Sequence, residues 1–440
     1  MSEATRPFTP TAQQRDLDLD WIKGLACIGM LLLHATIMAG LPPKHWLWTV
    51  QFEVIHQFYA WFFMASGMNV YRAAQRDMGK PWVRSVASYE LVTLALFALG
   101  ILYSINRRTL GHMELFQGVA ACTAVTYLVA RRRWPSWALI VISVLLFGAT
   151  THYAYMYYNF PIADRFIPPA NQALKGIAVT VDLGQVQDIT FVFTRKGFNT
   201  LINSLIAQFP MWERFLFVHF SLLPWVSWFL LGVVVMRWAG TKYEKLLWIM
   251  FVVFLAVSFL PKWYVPRTSL DFYLRGKVDF LFRSSAMAGL SILSARRWYK
   301  GIKPINKKIE FIGRESFLIF ILQWFTVDVF GIPLIAAAEI TGRKTWILFP
   351  LLQAATIFLT FRYTKYFAER RNRTIGDKNY LRNWLGLTVG FFVLALVFYN
   401  RAPAISYVLS FPVIIGVGMA FPAVRLVIRG ALKPRKPVKQ

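Results

Sequence analysis

The stretch that decides the fold is residues 20–40, which read DWIKGLACIGMLLLHATIMAG. Apart from Asp20, Lys23 and His34, every residue in it is apolar, small or a hydroxyl residue. Its length matches the roughly 20 residues that an α-helix needs to cross a bilayer. Residues 1–19 are polar, and no A-x-A cleavage site follows the apolar run. We therefore expect the stretch to stay in the mature protein as a first membrane span.

Composition extends this prediction to the whole chain of 440 residues, which is 57% hydrophobic and 16% charged and has a mean hydropathy of +0.46. A soluble protein carries about 25% charged residues. The composition therefore excludes a water-soluble domain, a disordered chain and a coiled coil. The two cysteines, Cys27 and Cys122, lie in apolar runs, so we predict neither a disulfide framework nor a metal site.

Apolar runs of spanning length recur along the sequence and predict an all-α, polytopic membrane helix bundle with about twelve transmembrane helices. The predicted spans are 20–40, 49–71, 86–105, 112–130, 135–155, 215–236, 246–261, 278–295, 309–335, 345–364, 383–400 and 404–424.

The charge distribution predicts the orientation of these spans. The chain has 49 Lys+Arg and 21 Asp+Glu, a formal net charge of +28, and 30 of the basic residues lie in segments on the same side as the termini. Basic loops face the cytoplasm, so we expect both termini there, in an integral, multi-pass protein of a bacterial inner membrane. Binding to anionic lipid explains most of these charges, and a minority could also hold a polyanionic cofactor.

The domain organisation that we predict has four parts. Residues 1–19 are a cytoplasmic tail, 20–367 the main bundle, 368–424 two additional helices and 425–440 a basic tail. Residues 156–214 form the one sizeable extracytoplasmic segment, which we interpret as a lid or rim over a cavity; an interfacial aromatic anchor is the alternative.

Ionisable side chains inside spans are costly unless they face a polar cavity or a partner. Lys23 and His34 are eleven residues apart, about three helical turns, so both project from one face of the first span. His56, with Glu53 on the same face, lies at a depth similar to that of His34 on the second span. Asn69 reaches the depth of Lys23. We predict a polar column with an outer and an inner layer.

Histidine titrates near neutral pH and can act as a general base, so His34, His56 and Glu53 are the candidate catalytic residues. The alternative is that each histidine bonds a backbone carbonyl of a neighbouring helix. For contacts with an acceptor we select Asp279, Arg283 and Gln323, although Asp279 and Arg283 are four residues apart and could pair with each other. The cations that could meet nucleotide phosphates are Arg296, Arg297, Lys303 and Arg314.

Four motifs resemble, in order, those of the membrane acyltransferase-3 family. They are D-x-x-K-x10-H (Asp20, Lys23, His34), HQFYAWFFMASGMNVY (56–71), LLPWVSWFLLGVVV (222–235) and FIGRESFLIFILQ (311–323). The heparan-glucosaminide N-acetyltransferase group has a similar layout. The resemblance covers residues 16–367 and implies that the main bundle is an acyltransferase.

The resemblance implies transfer of an acyl group from cytoplasmic acyl-CoA, acetyl-CoA in the first instance, to a hydroxyl of an extracytoplasmic glycan or lipid-linked sugar. It assigns roles to Lys23, His34, His56, Arg314 and Ser316. Two positions depart from the family pattern. Lys23 stands where an arginine is usual, which removes the bidentate fork, and Gln323 stands where a histidine is usual.

Our leading hypothesis is an acyl-CoA-dependent O-acyltransferase in which His34 is the general base. Glu53 or His56 would orient it, and Lys23, with Asn69, would hold the donor. A secondary transporter or flippase, with the histidines as proton-relay groups, is the alternative. A catalytically inactive relative that serves as an assembly partner is a third hypothesis.

Overall fold

A computed structural model describes residues 17–38, 57–107, 115–159, 216, 222–260, 278–298, 304–326, 345–377, 379–398 and 401–431. Within these ranges all regular structure is helical, and thirteen helices are present. They are α1 (Leu17–Met38), α2 (Phe58–Arg76), α3 (Trp82–Arg107), α4 (Leu115–Arg131), α5 (Ser136–Asn159), α6 (Leu222–Trp238), α7 (Glu244–Val257), α8 (Val278–Trp298), α9 (Pro304–Arg314), α10 (Ser316–Thr326), α11 (Thr345–Thr374), α12 (Tyr380–Val397) and α13 (Pro403–Ala431).

Three of the described helical segments are long and apolar enough to cross a membrane. They are Trp82–Leu102, Tyr380–Val397 and Val408–Ala431. The apolar helices Leu115–Arg131, Ser136–His152 and Leu222–Trp238 are shorter. This is the pattern of a helical membrane protein, as the composition predicts.

Contacts between α1 and the α9–α10 pair show their relative direction. Gly24 on α1 packs against Gly313 at the end of α9, and His34 bonds Gln323 on α10. Because both contacts advance by ten residues on each partner, α1 and the α9–α10 pair run in the same direction.

Contacts of α11 with α10 show that these two helices run in opposite directions. Thr360 on α11 bonds Thr326 near the end of α10, whereas Arg371, further along α11, bonds Glu315 at the start of α10. Equivalent pairs of contacts join α3 to α4, α5 to α6, α7 to α8 and α12 to α13 in antiparallel order. Each of these pairs of consecutive helices is therefore antiparallel, as α10 and α11 are.

Glycines set the closest helix crossings. A Cβ at Gly24 would overlap the backbone carbonyl of Ile309, and a Cβ at Gly313 would overlap the carbonyl of Asp20. Gly67 on α2 lies in the same way against the carbonyl of Phe229 on α6. Small residues of this kind let the backbones of membrane helices approach closely.

We expect Gly24→Ala to lower the thermal midpoint in detergent, because the new methyl meets fixed backbone on α9. Overpacking of this kind costs about 1–3 kcal/mol. Gly390→Ala on α12 is the matched control, since a Cβ there meets nothing within 4 Å and alanine is the better helix former. Equal midpoints for the two variants would contradict the close crossing.

The structure corrects the prediction of one span over 309–335. The described helix begins earlier, at Pro304, and is interrupted at Glu315, which separates α9 from α10. The predicted span missed the amphipathic first part because α9 is rich in charged residues. Residues 327–335 lie outside the described ranges.

Two predicted domain boundaries also differ from the observed helices. α11 runs without a break from Thr345 to Thr374, across the boundary placed between 367 and 368, and α13 continues to Ala431, beyond 424. Of the segment 156–214, which was predicted to be extracytoplasmic, residues 156–159 belong to α5. Residues 160–214 lie outside the described residues.

Candidate functional site

His34 lies in the last turns of α1 with 8% of its surface exposed. Its Nδ1 atom is 2.9 Å from Oε1 of Gln323, a side chain on α10 that is fully buried. This hydrogen bond joins two positions that the sequence analysis treated separately. Gln323, which the sequence analysis selected for contacts with the acceptor, is a hydrogen-bond partner of the proposed base.

The second contact of Gln323 assigns the protons. Its amide nitrogen Nε2 donates towards the sulfur of Met30 at 3.7 Å, so its oxygen Oε1 faces the histidine ring. An amide oxygen only accepts hydrogen bonds, so with the amide in this orientation His34 Nδ1 carries the proton and donates it. In a neutral ring the Nε2 atom then holds the lone pair, which is the form required of a base.

Lys23 lies at the other end of the same face of α1. Its Nζ atom is 3.0 Å from Oδ1 of Asp20, and both side chains are largely buried. The Asp20 carboxylate therefore offsets the positive charge of Lys23, the residue that the sequence analysis assigned to holding the acyl-CoA donor. The carboxylate of Asp18, two residues before Asp20, lies 3.6 Å from Nε of Arg296 on α8.

A small apolar cavity lies between these two ends. Three of its lining residues, Ala26, Cys27 and Met30, come from the part of α1 that separates Lys23 from His34. The others are Phe58, Tyr59, Phe62, Phe63, Leu115, Ser316 and Phe320, from α2, α4 and α10. The middle of the predicted polar column is therefore apolar. Lys23 and His34 are not among its lining residues.

The end of the bundle at which α1 begins is strongly basic, and we call it the basic end. Arg296, from the last turn of α8, lies close enough to Arg72 of α2 for the two positive charges to interact. Burial, with the charges of Arg296 and Arg76, lowers the pKa of Arg72 to about 10. Cations held together despite their repulsion form a site that favours an anion. Arg72 was not selected from the sequence.

Ser316 and Arg314, both from the late motif, lie on either side of Glu315. Ser316 begins α10 and lines the cavity. Arg314 is exposed, with its guanidinium stacked over Phe311 at 5.2 Å and its Nε atom 3.4 Å from Glu315. The serine therefore belongs to the interior and the arginine to the surface of the basic end.

Glu315 itself lies in the late motif, and the sequence analysis assigned it no role. Its two carboxylate oxygens lie 2.9 and 3.0 Å from the guanidinium nitrogens of Arg371 on α11, and its side chain is only 6% exposed. A bidentate pair of this kind is a strong, geometrically specific contact. An acidic residue inside a predicted apolar span is the sequence signal from which a buried ion pair at Glu315 could have been predicted.

The predicted inner layer of Lys23 and Asn69 does not form. Asn69 is exposed, because Gly67 holds the opposite side of α2 against α6 and two residues turn a helix by about 200°. Arg297 is likewise exposed, whereas Arg296 next to it is half-buried.

The remaining predicted residues are placed only in part. Arg283 on α8 stacks its guanidinium over Phe259 at 5.0 Å. Asp279 lies in the first turn of α8, with its side chain outside the described part. Glu53, His56 and Lys303 lie outside the described residues. Within the ranges that the structure describes, no group of three or more His, Cys, Asp or Glu side chains could hold a metal.

The chain matches no family model, no curated protein and no solved structure.

Proposed function

We propose that the protein is a transmembrane O-acyltransferase that moves an acyl group, acetyl in the first instance, from cytoplasmic acyl-CoA to a hydroxyl of an extracytoplasmic glycan or lipid-linked sugar. The observation that carries the proposal is the hydrogen bond between His34 and Gln323 next to an apolar cavity. It presents a histidine in the tautomer of a base inside a helix bundle, where such a group is costly to bury.

In the proposed reaction His34 Nε2 removes the proton from the acceptor hydroxyl as its oxygen attacks the thioester carbonyl. The new C–O bond forms, the C–S bond breaks, and the CoA thiolate leaves and takes up the proton from the imidazolium. A positioned base typically contributes 10²–10⁴-fold to such a step. Glu53 and His56 remain predictions from the sequence for orienting the base or the acceptor, and Asp279 and Arg283 for contacts with the acceptor.

The cavity and the basic end suit the two parts of the donor. The apolar walls at Cys27, Met30 and Phe62 match an acyl group with the adjacent thioester. Arginines at the basic end, Arg72 and Arg296, match the phosphates of the nucleotide, since guanidinium binds phosphate through charge-assisted hydrogen bonds. Lys23, which is paired with Asp20, lies between the cavity and the basic end along α1.

The proposal includes twelve spans with both termini in the cytoplasm of a bacterial cell, in its inner membrane. Two features support it. Five pairs of consecutive helices run antiparallel, as consecutive spans do; they are α3–α4, α5–α6, α7–α8, α10–α11 and α12–α13. The basic residues collect at one end, as they do on cytoplasmic faces.

The test is a CoA-release assay on the purified protein with a panel of hydroxyl acceptors, together with thermal unfolding. An acyltransferase releases free CoA thiol when an acceptor is present, and acyl-CoA raises its thermal midpoint because a ligand stabilises the folded state that binds it. A protein that shows neither effect, and that instead exchanges a polar solute across vesicles, is the transporter of the alternative hypothesis.

We expect Gln323→Leu to reduce turnover roughly fivefold, because a hydrogen bond worth about 1 kcal/mol no longer holds the His34 tautomer. The measurement is kcat and the KM for acyl-CoA. A loss in kcat with little change in KM indicates positioning of the base. Gln117→Leu on α4 is the matched buried control, since that side chain packs against Gly100. Unchanged kcat in Gln323→Leu would exclude the positioning role.

A further inference from the structure

The apolar cavity lies about one helical turn from the His34–Gln323 pair, on both helices that carry the pair. Met30, which lines the cavity, is four residues before His34 on α1, a rise of about 6 Å. Phe320, another lining residue, is three residues before Gln323 on α10. The amide nitrogen of Gln323, 3.7 Å from the Met30 sulfur, joins the pair to the cavity wall. A group held in the cavity therefore lies beside the proposed base.

The size of the cavity limits what it can hold. Its volume is about 30 Å³. For comparison, an engineered apolar cavity of about 150 Å³ binds benzene, a ring of six carbon atoms. In proportion, the cavity beside the His34–Gln323 pair takes about one carbon atom with its hydrogens. That is the size of a methyl group.

Two of the rings that form the wall are themselves packed against other rings. Phe320 meets Phe116 edge to face, with ring centroids 5.0 Å apart, and Phe62 meets Phe63 in the same way at 5.7 Å. Phe63 and Phe116 are almost fully buried. A close-packed interior transmits strain and compresses little, so these rings cannot move aside at low cost for a larger guest.

The wall also carries no charge. The described lining residues are alanine, cysteine, methionine, leucine, serine and aromatic residues. An acyl group that ends in a carboxylate would lose its hydration in the cavity without gaining a partner, which is costly. The walls therefore disfavour a charged acyl group as well as a long one.

We propose that the cavity seats the methyl group of an acetyl thioester, and that the rings of Phe62 and Phe320 restrict the donor to acetyl-CoA. This inference rests on the proposed function and names its acyl group from the volume and the walls of the cavity. One methylene group in a hydrophobic pocket changes specificity by roughly 10–200-fold. We therefore expect kcat/KM for CoA release to fall roughly tenfold or more from acetyl-CoA to propionyl-CoA, and further for butyryl-CoA and succinyl-CoA.

Widening the cavity should relax this selectivity. Phe62→Leu replaces a ring by a shorter side chain at a half-buried position. We expect the ratio of kcat/KM for propionyl-CoA to that for acetyl-CoA to rise roughly tenfold in this variant. Phe97→Leu on α3 is the matched control, since Phe97 is also half-buried and does not line the cavity, and its ratio should stay that of the unmodified protein. Equal kcat/KM for the acetyl, propionyl and butyryl donors, or an unchanged ratio in Phe62→Leu, overturns the proposal.

Filling the cavity should have the opposite effect on the acetyl donor. Ala26→Val adds two methyl groups at a lining residue that is 3% exposed. We expect acetyl transfer to fall roughly tenfold, while the thermal midpoint without ligand does not fall, because filling a cavity commonly stabilises a protein. Ala98→Val is the control, since Ala98 is exposed on α3. Full acetyl transfer in the folded Ala26→Val variant shows that the methyl group lies elsewhere and overturns the proposal.

Solid-state NMR locates the acetyl group without any turnover. Protein labelled with ¹³C in its methionine methyl groups is placed in lipid bilayers with acetyl-CoA that carries ¹³C in the acetyl methyl group, and no acceptor is added. We expect a through-space cross-peak between the acetyl methyl group and one methionine methyl group. This cross-peak should disappear in Met30→Leu and persist in Met250→Leu, since Met250 lies on α7 and does not line the cavity.

The outcomes separate this inference from the function on which it rests. Absence of the cross-peak in a protein whose thermal midpoint is raised by acetyl-CoA overturns the methyl seat and leaves acyl transfer standing. A protein whose midpoint does not rise, and that releases CoA from none of the donors, contradicts the proposed function itself and this inference with it.

Discussion

The substitution His34→Ala is expected to reduce acyl transfer by roughly 10²–10⁴-fold, the range that a positioned general base contributes. The side chain is almost fully buried, and Gln323 holds its Nδ1–H so that Nε2 is the proton acceptor. Release of CoA thiol in the presence of an acceptor is the measurement. The affinity for acyl-CoA is expected to change little, because the basic end that we assign to its phosphates is untouched.

His152→Ala is the matched control, since this histidine lies on α5 with an exposed side chain. It should keep the activity of the unmodified protein. Equal unfolding midpoints of both variants with acyl-CoA present show that folding and donor binding are intact. Near-normal turnover of the His34 variant would remove the proposed base and, with it, the mechanism.

The substitution Glu315→Ala is expected to have the largest effect on stability, a loss of about 3–5 kcal/mol in the free energy of unfolding, as found when a buried ion pair loses one partner. Arg371, itself only 14% exposed, would keep its charge without the carboxylate that now binds it at two points. The measurement is equilibrium unfolding in mixed micelles.

The control for this prediction is Glu369→Ala on the same helix as Arg371. Its carboxylate is 4.0 Å from Lys365, and both side chains are about half exposed. Exposed pairs contribute less than about 1 kcal/mol. Glu315→Gln should fall between the two, because the amide keeps one acceptor for the guanidinium. Similar losses for Glu315→Ala and Glu369→Ala would show that burial adds nothing to the first pair.

The predicted helix positions were close to the observed ones where a span is uniformly apolar. α5 begins one residue after the predicted start at 135, and α4 ends one residue after the predicted end at 130. The prediction was wrong where charge and amphipathic pattern replace uniform hydropathy, as at α9 and at the Glu315 break. Hydropathy measures how favourably a segment transfers into lipid. α9 is stabilised in addition by packing against α1 at Gly313, and hydropathy does not measure that packing.

The sequence analysis selected individual residues of the candidate site, but it did not predict the contacts between them. His34 was selected because a buried imidazole is costly, and the same argument applies to its observed environment. Its partner Gln323 was regarded as a departure from the family pattern, in which a histidine is usual at this position. The hydrogen bond joins residues 289 positions apart in the chain, a separation at which periodicity along one helix carries no information.

What the amino-acid sequence determined alone was the helical membrane class and the depth of each polar residue along its own helix. These follow from the length of apolar runs and the rise per residue, which are local quantities. Only the tertiary structure decided which faces meet. Gly67 turned Asn69 outwards, His34 met Gln323, and α11 placed Thr360 against Thr326 of α10. Rotation of one helix against another depends on side-chain shape across the interface, and that information is shared between distant parts of the chain.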